Sequence, residues 1–444
     1  MPSDRQPKVL LLQGPPSRFF GRLADTIEQS GGEAMRIIFC PGDWLYWLPR
    51  KATHYRGSYR LWQAFLDDFI VRNGVTDIVY YADQFPYHRV AQQIARARGI
   101  NAVSVEFGYL RPDWITLERD GMSAASCFPE DPDRIRQLAK QLPAADFVVR
   151  FPYTFFMEAS NDVMFNLLNV FLRPLYPGFF SDRYYHPLID YPCYAPRFAA
   201  APRQRRIADT LLRELTAEQT PFFLVPLQMQ SDYQLRANSP FRHQSEFIEQ
   251  VTRSFSRSAD PAARLVFKVH PLDNGLEKWH RIVGNCARRH GIAKQVITID
   301  GGNLHAFLKA AKGCVIINST AGIHALRLGC PLAVLGIAVF DIAGLSHRRP
   351  LDEFWQTPDQ PDPQLCKDLC RALAGTIQVK GNFYTRAGQQ AAANEIAKRI
   401  LEGRINAPAD DIVLPPRLER ARALGLSVVD PGEATCRASV APGR

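Results

Sequence analysis

What most constrains this chain is a rhythm: a short apolar run followed by a stretch of helical periodicity, repeated in two blocks separated by a segment of different character. In the first block, residues 8–13 read as a strand ending at Gly14-Pro15-Pro16, residues 18–29 as an amphipathic helix and residues 34–39 as a second strand. The alternation continues with a helix over 59–73, a strand over 77–81, a helix over 88–98 and a strand over 102–105 that ends at Glu106. The second block opens at Phe222, with strands over 222–227, 264–269, 296–299, 314–318 and 331–335 and helices between them. A strand reached through a crossover helix pairs in parallel with its predecessor, and helices then cover both faces of the sheet. The expectation is an α/β protein with two Rossmann-type lobes on parallel sheets, with a cleft between them. A chain of 444 residues is long enough to give each lobe its own core.

The boundaries follow from the breaks in the rhythm. Residues 1–150 form the N-terminal lobe, 151–205 a connector, 206–385 the C-terminal lobe and 386–444 a helix followed by a loose tail. The connector is rich in aromatic residues and proline, and two readings stay open for it: a linker packed by its rings, or an apolar, arginine-flanked surface that touches membrane lipid.

Composition narrows the function. The 54 Lys and Arg exceed the 44 Asp and Glu, so the net charge of +10 attracts anions. The basic residues are dispersed and often sit beside acids, with no element that enters a groove, so nucleic acid is set aside as a partner. The nine cysteines are scattered and form no CxxC pair. Reduced thiols and no zinc site are expected, Cys366 and Cys370 being small core residues one helical turn apart. No signal-like or bilayer-length apolar run is evident, which predicts a cytoplasmic protein.

In doubly wound sheets, ligands lie beyond the carboxyl ends of the strands, so polar residues just after a strand are the candidates. Glu106 opens Glu-Phe-Gly-Tyr-Leu-Arg-Pro-Asp-Trp, and a carboxylate there serves either as general acid or base or as the partner of Arg111 in a loop salt bridge. Tyr109 shares this loop. Asp232 follows the 222–227 strand among glutamines, Gln228 and Gln230 included, whose amides suit sugar hydroxyls. Its carboxylate fits a nucleophile at an anomeric carbon, or an ordinary helix cap. His270 and Pro271 follow the 264–269 strand, where an imidazole near Lys268 can donate to a phosphate oxygen. Asn318-Ser319-Thr320 leads from a strand into a helix that includes Gly322, and free amides at such a turn favour a phosphate. Gly14 lies in the first strand's turn, but neither GxGxxG nor a Walker A sequence occurs. With no Asp-x-Asp element after a strand, a metal-independent site without a cofactor is expected.

Several of these stretches occur in the order of a known family. The Glu106 stretch, the 228–234 loop, Lys268-Val-His-Pro-Leu-Asp, Asn318-Ser-Thr-Ala-Gly-Ile-His-Ala-Leu and Tyr87-His-Arg resemble the capsule polysaccharide biosynthesis family of Gram-negative bacteria, in its KpsS/LipB-type branch. The likeness extends from about residue 9 to residue 384, through Asp341-Ile-Ala-Gly-Leu, Leu351-Asp-Glu-Phe-Trp and Gly381-Asn-Phe-Tyr. It implies a GT-B-like pair of lobes and a retaining β-Kdo glycosyltransferase that takes Kdo from CMP-Kdo, a substrate rather than a cofactor. The implied acceptor is a lysophosphatidylglycerol-type lipid, on which the first Kdo of a poly-Kdo linker is placed. That implies a protein peripheral to the inner face of the inner membrane, working beside other capsule biosynthesis and export proteins. By the same likeness Asp232 matches the nucleophilic carboxylate, Glu106 the acid/base carboxylate, and His270-Pro271 with Ser319-Thr320 the CMP-binding elements. The chain departs from related tandem enzymes at Phe107, where they read Glu-Asp-Gly from the position of Glu106, and at His324, where they carry Glu. Two other readings stay open: a non-catalytic capsule assembly or export factor that keeps the fold as a scaffold, and a transferase for another CMP-linked sugar.

Overall fold

The computed structural model describes residues 6–426 apart from 410 and 413. Cys436 and the tail expected to be loose beyond 426 lie outside the described residues. Two sheets form. The first has strands β1 (Lys8–Leu11), β2 (Glu33–Ile38), β3 (Thr53–His54), β4 (Asp77–Tyr81), β5 (Asn101–Phe107) and β6 (Trp114–Arg119). The second has β7 (Phe222–Pro226), β8 (Arg264–Val269), β9 (Val296–Asp300), β10 (Gly313–Ile316) and β11 (Leu332–Val334). A last strand, β12 (Gln378–Lys380), belongs to the first sheet, which runs β12-β6-β5-β4-β1-β2-β3 in space, while the second runs β11-β10-β7-β8-β9.

The second sheet is parallel throughout, as expected. All five residues of β7 are buried, because helices cover both of its faces. The first sheet departs from the expectation, since β6 runs antiparallel to β5 and β12 antiparallel to β6. The reason is local. Only residues 108–113 separate β5 from β6, too few for a crossover, so the chain reverses in a hairpin. Gly108 makes the reversal fit, its amide donating to the Trp114 carbonyl at 2.8 Å. A Cβ on Gly108 would lie 2.5 Å from that carbonyl oxygen. Glu106 is therefore inside β5, paired with Thr116, rather than just past a strand end.

The chain also returns to the first lobe before residue 385. After β12, helix Arg386–Leu401 packs on helix Phe19–Gln29, and Phe383 meets Phe19 edge-on at 5.1 Å. The lobes share an apolar seam in which Phe128, Ile135 and Leu138 join Leu365, Leu369 and Leu373. The connector holds helices Phe155–Phe171, Pro187–Asp190 and Tyr194–Ala217. The first of these packs on helix Pro41–Trp47 of the N-terminal lobe, and the last lies along β9 of the C-terminal lobe. No helix among the described residues is long and apolar enough to cross a membrane.

Candidate active site

The loop after β7 begins at Leu227, whose amide still bonds the Lys268 carbonyl, and then turns sharply. Buried Gln244 fixes the turn from two sides: its Oε1 accepts from the Gln228 amide at 2.7 Å and its Nε2 donates to the Gln228 carbonyl at 3.0 Å. Gln230, expected at the ligand, instead turns into this support, with its Oε1 accepting from the Gln244 amide and its Nε2 donating to the Arg242 carbonyl.

Gln228 points the other way. Its Nε2 donates to Asn318 Oδ1 at 3.0 Å and to Asp232 Oδ2 at 3.3 Å, and its Oε1 accepts from the Asn318 amide. The Asn318 Nδ2 donates to the carbonyls of Gln234 and Asn238, so the β7 loop and the β10 loop are sewn together. Asp232 is the cap of the short helix Tyr233–Ala237, its Oδ1 accepting from the Gln234 amide at 2.8 Å. The cap reading therefore holds for Oδ1, while Oδ2 accepts the longer bond from Gln228. Burial raises the Asp232 pKa above the usual carboxylate value.

The two lobes meet at Gln234. Its amide caps onto Asp232, and its side-chain Nε2 donates to Glu106 Oε2 at 3.1 Å. Its Oε1 accepts from Ser123 Oγ and Asn238 Nδ2, each at 2.8 Å, which fixes which end of the amide faces Glu106. The candidate carboxylates, from sheets of different lobes, are thus held by one glutamine. Glu106 is pushed up to about 8, first by desolvation and then by the charges of Asp83 and Asp232. Asp83, fully buried at the end of β4, takes hydrogen bonds from the Met122 amide and Gln84. Gln234 and Asp83 were not singled out from the sequence. The signal for Gln234 was its place in a glutamine-rich loop, and for Asp83 its position just past a strand.

The alternative of a Glu106–Arg111 salt bridge is not what forms. Arg111 lies over the Phe107 ring with its guanidinium carbon 4.8 Å from the centroid. Its charge is nevertheless felt by Glu106, Asp232, His270 and His324, after desolvation as the larger cause for each. Tyr109 is tied by its amide to Gln378 Oε1 at 2.9 Å and is raised by burial and by Glu118 and Glu106.

On the far side, His270 Nδ1 accepts from the Leu272 amide at 3.1 Å. Desolvation, then Lys268 and Arg111, lower the His270 pKa to about 4, so the ring is neutral with its proton on Nε2, a hydrogen-bond donor. Pro271 sits exposed on the turn. Lys268 is 4% exposed, and its ammonium makes no hydrogen bond or ion pair among the described residues. Burial lowers its pKa.

At the β10 turn, Ser319 Oγ accepts from the Ala321 amide, and the Gly322 and Ile323 amides bond the Ser319 and Thr320 carbonyls. The Ser319 and Thr320 amides and the Thr320 hydroxyl have no such partner among the described residues. Gly322 and Gly14 are both closely packed. A Cβ on Gly322 would lie 2.4 Å from the Phe340 ring, and one on Gly14 would lie 2.9 Å from Phe20. His324 pairs with His305 Nε2 at 3.1 Å. Among the described residues, no group of three or more His, Cys, Asp or Glu side chains is arranged to hold a metal ion.

The stretch that carries these groups is also the stretch that matches known proteins. Residues 76–384 match the family model described as capsule polysaccharide biosynthesis protein. The chain belongs to the capsule polysaccharide biosynthesis family. It is 31% identical over 381 residues to the capsule polysaccharide export protein KpsS of Escherichia coli, spanning 85% of this chain and 97% of that protein. It is 30% identical over 388 residues to the capsule polysaccharide modification protein LipB of Neisseria meningitidis serogroup B, spanning 85% of this chain and 92% of that one. Among solved structures, the β-Kdo 2,7 transferase of Thermosulfurimonas dismutans KpsC aligns over 89% of this chain and 99% of its own, at 12% identity and a TM-score of 0.43.

Proposed function

We propose that this family member is a retaining glycosyltransferase that moves Kdo from CMP-Kdo to a lysophosphatidylglycerol-type lipid at the inner face of the inner membrane, without a metal ion. The observation that carries the reading is the pair of carboxylates held across the lobes by Gln234, one with its Oδ2 lightly bonded and the other raised to about 8. Asp232 Oδ2 attacks the anomeric carbon and forms an ester as the bond to the CMP phosphate oxygen breaks. His270 Nε2, the Lys268 ammonium and the Ser319 and Thr320 amides receive the phosphate, and Arg111 supplies a further positive field. Protonated Glu106 assists departure by passing its proton to the leaving CMP phosphate oxygen, which leaves Glu106 a carboxylate.

The second step needs Glu106 as a base. Once Asp232 is esterified its charge is gone, and one of the causes that raise Glu106 goes with it. Glu106 then takes the proton of the acceptor hydroxyl as that oxygen displaces Asp232 from the anomeric carbon. Two inversions retain the configuration.

The test is incubation of purified protein with CMP-Kdo and lysophosphatidylglycerol, read by product mass, with and without a chelator. Transfer that survives the chelator and is lost in Asp232→Ala is expected. Absence of transfer, or undiminished transfer by Asp232→Ala, refutes the reading. CMP protection against thermal unfolding without any transfer would instead support the scaffold reading or a different CMP-sugar, which a donor screen separates.

A further inference from the structure

The connector contains a helix that exposes large apolar side chains. In helix Phe155–Phe171 the face turned toward the protein carries asparagines beside the buried Phe165. Asn161 Oδ1 accepts from the Tyr46 hydroxyl at 2.9 Å, and Asn169 Oδ1 accepts from the Gly42 amide at 2.7 Å. Phe165 wedges between them, stacked on Tyr46 with 6.4 Å between ring centroids. Helical spacing puts Phe156, Ser160, Met164, Leu167 and Phe171 on the opposite face. Phe156 is 78% exposed, Met164 50% and Phe171 65%. A helix that lies between a protein core and water does the reverse, burying its apolar stripe and exposing its amides.

The apolar face extends beyond this helix. Phe155 meets Phe198 of helix Tyr194–Ala217 with 5.9 Å between ring centroids, and helix Pro187–Asp190, packed alongside, exposes Leu188 and Ile189. Three acids of the segment have partners within the protein: Asp162 accepts from the Tyr191 hydroxyl at 2.8 Å, Asp190 from Asn274 and Arg183, and Asp182 from the Tyr233 hydroxyl. Arg173, Arg203 and Arg206 are exposed and make no ion pair among the described residues.

We infer that this face docks on an anionic lipid bilayer, with Phe156, Met164 and Phe171 entering the headgroup and acyl boundary and Arg173, Arg203 and Arg206 meeting headgroup phosphates. Exposed aromatic and aliphatic side chains on a helix, bordered by unpaired arginines, are what an interfacial helix presents to such a surface. A chain of ring contacts leads from the start of this helix toward the candidate site. From Phe107, the neighbour of Glu106 in β5, a line of rings runs through Tyr384, 6.2 Å away, to Tyr153, 5.2 Å from Tyr384, and Tyr153 lies just before helix Phe155–Phe171. A lipid acceptor lifted from the bilayer would meet the Glu106 side of the cleft first. That use rests on the transferase reading above, whereas docking itself does not.

The experiment is therefore co-sedimentation of the full chain with vesicles of phosphatidylcholine alone and of phosphatidylcholine with an equal part of phosphatidylglycerol, which needs no turnover. Binding to the mixed vesicles, weakened about tenfold or more by F156S/F171S and made insensitive to phosphatidylglycerol by R203E/R206E, is expected. These positions are exposed, and unchanged thermal unfolding confirms that the variants fold. Wild-type protein that stays in solution with both vesicles overturns the inference, as does F156S/F171S protein that binds like wild type. Wild-type protein that ignores vesicles but dimerises through this face, with F156S/F171S monomeric, assigns the face to a second copy instead. Transfer to a short-chain, water-soluble acceptor separates the two proposals: F156S/F171S keeps it if only docking is lost, and its absence from wild type refutes the transferase reading alone.

Discussion

At the residue scale the site depends on where a proton sits. Glu106 is raised to about 8, so below that pH it is an acid and above it a carboxylate beside Asp83 and Asp232. The donor half of the proposed reaction needs Glu106 protonated and Asp232 ionised. The sign is therefore fixed: kcat/KM for CMP-Kdo should fall as pH rises through about 8. In Glu106→Gln the amide cannot lose a proton, so that alkaline limb should vanish. The same variant lacks a base for the acceptor and should release one CMP per enzyme in a burst and then stall. Rapid-quench measurement of CMP across pH checks both outcomes. The sequence showed Glu106 and Asp232 as two strand-end acids, each with an ordinary structural explanation. It did not show Gln234, because a glutamine signals a hydrogen bond but not its partner, and this partner is 128 residues away. Nor did it show that Gln230 faces inward while Gln228 faces out, a choice made by Gln244 from outside the loop.

At the element scale the parallel strands other than the two-residue β3 were legible because local pattern determines them: an apolar run buried on two faces carries its own signature, and β4 and β8 fall where the periodicity put them. Strands β6 and β12 were not, because pairing decides them. Trp114–Arg119 has mixed polarity, and Gln378–Lys380 is too short to show a period, so only the β5 hairpin and the returning chain make them strands. What Gly108 provides to the hairpin is space. In Gly108→Ala the added Cβ meets both the Trp114 carbonyl and Gln378 Oε1 at 2.5 Å, and backbone cannot move aside as a flexible side chain can. The hairpin should open at a cost of about 2 kcal/mol, seen as a lower midpoint in urea unfolding. Because Glu106 is two residues back on the same strand, the turnover number should fall further than CMP affinity.

For the whole molecule the question is what keeps Glu106 and Asp232 in register when they belong to different lobes. Part of the answer is the shared apolar seam, and part is Arg417, buried with 2% exposure. Its guanidinium donates to the carbonyls of Phe128 at 2.6 Å and Pro129 at 3.2 Å on one lobe, and to those of Val339 at 2.8 Å and Ala338 at 3.3 Å on the other. Desolvation lowers its pKa to about 10, which leaves it charged at neutral pH. One cation thus joins four main-chain oxygens across the lobes, far along the chain from the carboxylates. Arg417→Leu would leave those oxygens buried without a donor, at a cost of roughly 3 kcal/mol, and should lower the thermal midpoint. The more telling outcome concerns function. His270, Lys268 and Asn318 all belong to the C-terminal lobe, so CMP affinity by calorimetry should change little in the variant. The Gln234 bridge needs both lobes in place, so transfer should fall about tenfold or more, in kcat rather than KM for the donor. Equal losses of CMP affinity and transfer would mean that the seam supports the nucleotide lobe alone and that the register of the carboxylates is set elsewhere.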